Sequence, residues 1–310
     1  MRSRIIPVDP RLDLEILMYP SFAYPLFEIQ SNRITKLWGV CSGLTIHKKV
    51  KELIVEHNDS ECLEYAEEII GIWSKHTKNH YLARKYMDFV EVLKSEYSWF
   101  GIATSSRDDI EIFASIYLSQ NTDFHTNVVK WVQKALANYG SVEPIINLDR
   151  IRLTKEIGGS YQVINLVIAL KEYIDYRDKI LRSSDENSKK YLLRIKGVGP
   201  KISHAYLVFV KKSTIYAPID RNLLSFLSKF EITSNLVASL PRKDMCLKYV
   251  CDSCPINISC TYYKIRNVFS EYSAWIQTIA YVHTKLMCRP RRCRECFLKQ
   301  ICSVQSQWSS

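Results

Sequence analysis

The sequence predicts a mainly α-helical protein with a small β-containing region at its N-terminus and a cysteine-rich C-terminus. Three observations predict it. Alternating, β-branched runs are confined to residues 26–56, whereas apolar residues recur at helical spacing from about residue 60 onwards. Eight of the ten cysteines crowd into residues 246–302. At 310 residues the chain exceeds one ordinary domain. It divides into an N-terminal α+β region (1–105), a helical barrel (106–245) and a cysteine-rich region (246–310) packed with its flanking helices.

Taken in order, LFEIQ, RITKLWGV and GLTIHKKVKELIVE form a short meander, with Ser31-Asn32 and Ser42-Gly43 at its turns. Leu63, Ala66, Ile69, Ile70 and Trp73 then make a helical stripe, as do Leu82, Tyr86, Phe89, Val90 and Leu93. An amphipathic stretch at 109–138 is interrupted by Ser119-Gln120-Asn121-Thr122-Asp123, where Asp123 suits a helix N-cap. Further helices are expected at 161–181, 186–195, 201–212, 221–230 and 262–287.

Composition narrows the function classes. With 47% hydrophobic and 24% charged residues the chain is no disordered segment. It has no apolar run of 18 residues, so no membrane association is expected, and MRSRIIPVDPRLDLE lacks the apolar core of a signal peptide. The expected place is the cytoplasm, with the nucleoid, or the nucleus in a eukaryote. In such a compartment ten cysteines point to metal rather than disulfides, and Cys41 and Cys62, which stand alone, read as buried thiols. Residues 1–150 carry 17 Lys+Arg against 20 Asp+Glu, a balance of −3; residues 151–310 carry 26 against 12, or +14. The basic half fits a polyanion, or else is a solvated Lys-rich surface.

Residues 186–212 read helix, tight turn, helix, with KGVGPK between two apolar runs. Gly197 and Gly199 allow a sharp turn at positive φ and keep side chains away from the backbone amides. Pro200 suits a first helical position, and the helix start beyond it can hold a phosphate diester without reading base sequence.

At these residues the chain resembles the helix-hairpin-helix DNA glycosylase superfamily, its endonuclease III-like members in particular. The family hairpin, roughly L-P-G-V-G-x-K, is matched by LLRIKGVGPK, and Lys201 falls on the catalytic lysine. Nineteen residues on, IYAPIDRNLLSFL places Asp220 on the catalytic aspartate and at a helix start. The usual Thr-His after that aspartate is Arg221-Asn222 here, a departure that bears on substrate choice. IFASIYLSQNTDF resembles the family's L-L-S-x-Q-x-T-D segment, which puts Gln120 where a side chain fills the gap left by a flipped nucleotide. The resemblance covers about residues 108–302; a small sheet before the barrel is loosely similar to the 8-oxoguanine and 3-methyladenine branches. His125, His204 and Trp131 read as packing residues.

The cysteines form two runs with one spacing, C-x4-C-x2-C-x5-C. They are Cys246, Cys251, Cys254, Cys260 and, 42 residues later, Cys288, Cys293, Cys296, Cys302. Four thiolates so close can hold Zn or an iron–sulfur cluster, and spacing alone does not choose. For the second run the resemblance implies a C-terminal [4Fe–4S] loop, although the family's first gap is usually six residues. Arg289, Arg291, Arg292 and Arg294 lie in that loop, placed to offset cluster charge and reach DNA phosphates. The first run has no counterpart in the resemblance and is expected to hold a second centre, [4Fe–4S] or Zn.

The resemblance implies a helix-hairpin-helix glycosylase fold and a base-excision enzyme, a bifunctional DNA glycosylase and AP lyase acting on an oxidised base. A free lysine is protonated near neutrality, its ordinary pKa being about 10.4, so partial burial and cationic neighbours are expected around Lys201. The expected partner is double-stranded DNA with a damaged or abasic site, bound by a monomer. The alternatives are a monofunctional glycosylase, against which Lys201 speaks, and a non-catalytic helix-hairpin-helix DNA-binding protein.

Overall fold

The computed structural model describes residues 2–75 and 84–303. Leu82 of the expected second stripe lies outside them, as do residues 304–310. The N-terminal part is one antiparallel sheet in the order β1-β5-β4-β3-β2, formed by β1 (Arg2–Pro7), β2 (Phe27–Gln30), β3 (Arg33–Lys36), β4 (Thr45–Lys48) and β5 (Glu52–His57). The meander is as expected. The strand β1 is not, because its pairing with β5 (Arg2 opposite His57, Pro7 opposite Glu52) joins segments some fifty residues apart, beyond any local pattern. The helix Ser60–Ile69 covers the sheet, capped by Asp59 and burying Leu63, Ala66 and Ile69.

That helix also corrects the reading of two cysteines. Cys41 and Cys62 are not separate thiols but a disulfide, their Cα atoms 5.5 Å apart. Folding the β3–β4 loop back over the first turn of the helix brings together residues that are 21 apart in sequence.

The rest is helical. Arg84–Tyr97, Asp109–Leu118, Val129–Tyr139 and Tyr161–Arg182 precede the hairpin helices Asp185–Arg194 and Pro200–Phe209; Arg221–Leu227, Lys243–Lys248, Thr261–Phe269 and Ser273–His283 follow. The single helix expected at 262–287 is broken at Ser270, where φ is 49°. The Ala274 amide there donates to Thr214 O (2.9 Å) in another segment.

One continuous apolar cluster runs from Ile6 to Leu298 through the sheet, the barrel and the C-terminal helices, so the three regions share a core. Polar bonds fasten them as well. Trp275 Nε1 donates to Phe100 O (2.8 Å), and Lys36 of β3 is fully buried against Asp108. Asp108 also accepts from the Val40 amide and the Ser105 hydroxyl. Removing one partner of a buried pair leaves an uncompensated charge. Lys36→Met is therefore expected to lower stability by about 3–5 kcal/mol, read as a fall in denaturant midpoint at constant slope; an unchanged midpoint contradicts it.

Candidate active site

The hairpin is built by its glycines in two different ways. Gly197 takes φ 77°, and a Cβ there would run into the Tyr117 hydroxyl. Gly199 does not share this conformation, contrary to expectation. It is extended (φ −111°, ψ −179°), and a Cβ on it would meet open space. Gly199 is the N-cap of Pro200–Phe209, no side chain caps that helix, and Pro200 occupies its first turn. The first-turn amides are left for an acceptor from outside.

Every residue from Ile202 to Phe209 is buried, and Lys201 alone of the first turn after Pro200 is exposed. The partial burial expected around Lys201 is therefore not found. The helix itself is rigidly held. Tyr206 and Tyr173 share a hydroxyl–hydroxyl bond (2.7 Å), Tyr173 donates to Asp109, and Arg177 grips both Asp109 oxygens at 2.7 Å. Three helices are locked through one buried carboxylate.

Asp220 ends a buried segment (216–219) and caps Arg221–Leu227, its Oδ1 accepting from the Leu223 amide (2.7 Å). Its Oδ2 faces the Asn222 amide at 3.4 Å, and Arg289 donates to Asn222 Oδ1 at 3.1 Å. Burial pushes the Asp220 carboxyl above its ordinary value, opposed by the Leu223 amide and the charge of Lys201.

Lys201 and Asp220 line the same cleft, about 880 Å³ in volume. Its apolar wall includes Phe22, Phe124 and Phe209, with Phe22 edge-on to both of the others. Phe22 comes from the N-terminal region, to which the sequence pattern assigns no role. Lys285, Arg289, Arg221 and Asp123 also line the cleft. Asp123 caps as expected, its pKa held at about 2 by the Thr126 amide and by Lys285 at 3.2 Å.

Gln120 is not among the cleft residues. Its amide donates back to Tyr117 O (2.9 Å), whereas Asn121, exposed and at φ 52°, lines the cleft beside Ser119. Nothing in the sequence pattern separates these two neighbours; the backbone conformation does. His125 stacks on Tyr19 with centroids 4.0 Å apart, and His204 is buried against Tyr262 at 4.1 Å, so both are packing residues. Trp131 packs on the core, closing over Gly158.

Each cysteine run folds into a compact loop. Cys246, Cys251, Cys254 and Cys260 together line one small void. In the second run, Cys296 Sγ stands 3.4 Å from His283 Nε2, and Ser303 N donates to Lys229 O beyond Cys302. Arg289, Arg291 and Arg292 are all exposed, but only Arg289 of the three lines the cleft. Among the described residues no group of three His, Cys, Asp or Glu side chains forms a ready-made metal site, and no helix is long and apolar enough to cross a membrane.

A helical barrel behind a small antiparallel sheet, with the hairpin lysine and a helix-capping aspartate on one cleft, is a fold shared with solved DNA glycosylases. The Clostridium acetobutylicum 8-oxoguanine glycosylase/lyase, solved in complex with double-stranded DNA containing cytosine opposite 8-oxoguanine, is similar at TM-score 0.64 and 13% identity, over 91% of this chain and 95% of that one. The 3-methyladenine DNA glycosylase of Archaeoglobus fulgidus is similar at TM-score 0.62 and 12% identity, over 91% and 99%. Coverage of that extent takes in most of residues 1–105, so the sheet belongs to the shared fold. No protein-family model matches the sequence, and no curated protein matches it significantly.

Proposed function

We propose that this protein is a bifunctional DNA glycosylase and AP lyase of base-excision repair, acting on an oxidised base. The observation that carries the reading is that Lys201 and Asp220 face one cleft large enough for an extruded nucleotide, at the mouth of an uncapped hairpin helix. The hairpin amides hold a backbone phosphate, and the apolar wall receives the flipped base. The neutral amine of Lys201 attacks C1′ as the base departs with the glycosidic electron pair; the nitrogen then loses a proton, the C1′–O4′ bond opens with its oxygen taking up a proton, and the Schiff base forms. Loss of a C2′ proton then expels the 3′-phosphate and nicks the strand. Asp220 stabilises the cationic sugar and moves protons. The name of the similar 8-oxoguanine glycosylase/lyase supports an oxidised purine as the first substrate to try.

The second cysteine run fits a [4Fe–4S] cluster by its donor set, four soft thiols in one compact loop against the buried His283. Cys288, Cys293, Cys296 and Cys302 would hold it, and its contribution would be to order the loop that presents Arg289. Arg289 reaches the Asp220 helix through Asn222, so the loop helps to position the aspartate.

The test is a cleavage panel of duplexes carrying 8-oxoguanine, thymine glycol, dihydrouracil, uracil or an abasic site. Nicking of the abasic duplex is expected. A monofunctional glycosylase releases base but leaves the strand whole, and a DNA-binding protein does neither. Binding to undamaged duplex is expected to weaken steeply with salt, because the +14 half displaces several counterions. A flat response between low and physiological ionic strength would show that the basic half does not face DNA.

A further inference from the structure

The two cysteine loops share more than their spacing. Five backbone hydrogen bonds of the first recur in the second at the same offset of 42 residues. Ser253 N to Val250 O (3.2 Å) matches Glu295 N to Arg292 O (3.2 Å); Cys254 N to Cys251 O (3.3 Å) matches Cys296 N to Cys293 O (3.3 Å). Asn257 to Cys254, Ser259 to Ile256 and Cys260 to Asn257 match Lys299 to Cys296, Ile301 to Leu298 and Cys302 to Lys299. The fourth cysteines share their dihedrals, φ −88° and ψ 120° at Cys260 against φ −88° and ψ 115° at Cys302. CLKYVCDSCPINISC and CRPRRCRECFLKQIC have almost nothing else in common, so the side chains around the cysteines do not account for the shared backbone.

Two observations at the first loop point to an occupant. The void that its four cysteines line is also lined by Tyr262, which is 1% exposed and whose hydroxyl has no partner among the described residues. Lys189, fully buried on the first hairpin helix and paired with Glu186, points its ammonium at Cys251 Sγ from 3.8 Å. A buried cation beside a thiol suits a sulfur that carries negative charge.

We propose that Cys246, Cys251, Cys254 and Cys260 hold a second tetrathiolate centre of the same kind as the one in the C-terminal loop, an iron–sulfur cluster. Equal spacing throughout, and equal backbone turns from the second cysteine to the fourth, give the two loops one frame for their thiols, with the approach from the first cysteine differing at Tyr249 (φ −119°) and Arg291 (φ 59°). The centre lies behind the hairpin. Lys189 and Glu186 belong to the first hairpin helix, and Lys243, just before Cys246, donates to Ile195 O at its end (3.5 Å). Each loop thus braces one half of the site, the first the hairpin of Lys201 and the second the helix of Asp220.

The experiment measures iron, acid-labile sulfide and zinc per chain in anaerobically purified full-length protein. It compares Cys251→Ala/Cys254→Ala with Cys293→Ala/Cys296→Ala. The wild type is expected to carry about eight irons and about eight sulfides, and each double variant to lose about half of both. Full iron retained by the Cys251→Ala/Cys254→Ala variant overturns the proposal, as does zinc lost selectively from it. If that variant does not fold, the Cys293→Ala/Cys296→Ala variant decides, since about four irons retained in it support the first-loop cluster and none retained overturns it. An empty C-terminal loop is a separate outcome, seen as full metal retention by the Cys293→Ala/Cys296→Ala variant only.

Discussion

A Lys201→Gln variant is expected to bind abasic duplex and yield no borohydride-trapped adduct, where the wild type yields a covalent complex. Borohydride reduces a Schiff base, so trapping reports the lysine–C1′ bond itself rather than affinity. The variant is a clean one structurally. Lys201 is exposed while Ile202 to Phe209 are buried, and the helix is held through Tyr206, Tyr173, Arg177 and Asp109 rather than through the lysine. Gly197 and Gly199 are untouched, so the hairpin turn persists. Undiminished trapping by the variant would remove Lys201 from the chemistry. Loss of both trapping and binding would assign it to DNA contact.

The second large effect is expected at Asp220. Asp220→Asn should reduce base release and nicking by about 10²–10⁴-fold, the range for a positioned proton-transfer group. Stability should not follow activity down. Burial raises the Asp220 carboxyl above its ordinary value, so the ionised form costs the fold free energy, and the neutral amide can still accept the Leu223 N–H. The melting temperature is expected to stay level or rise. The same raised value sets the sign of the pH dependence. Activity needs the carboxylate and is lost as pH falls through the raised pKa, above the ordinary aspartate value of about 3.9. A variant that loses activity only in step with its melting temperature would make Asp220 a helix cap and nothing more.

Much of the site is legible in the amino-acid sequence, for a physical reason. The hairpin, Lys201, the capping role of Asp220 and the two cysteine runs depend on spacings of a few residues, where backbone geometry is nearly dictated by residue type. Periodicity likewise locates the helices and most of the sheet. Properties that depend on distant segments are not legible. The strand β1 needs β5, and the Cys41–Cys62 disulfide needs a loop folded over a helix. The choice of Asn121 over Gln120 at the cleft turns on one left-handed residue, and Gly199 is extended where its twin Gly197 is not.

Residue order alone therefore specifies a helical protein with a small sheet, a glycine-built hairpin, a lysine and an aspartate nineteen residues apart, and two equal sets of thiols. Three further features come from the packing of the whole chain. The lysine and the aspartate share one cleft, Phe22 of the N-terminal region helps wall it, and the two cysteine loops stand behind different halves of it. The reason is one of range. Local sequence sets the conformation of a turn, whereas the meeting of two turns depends on burying apolar surface contributed by every region of the protein.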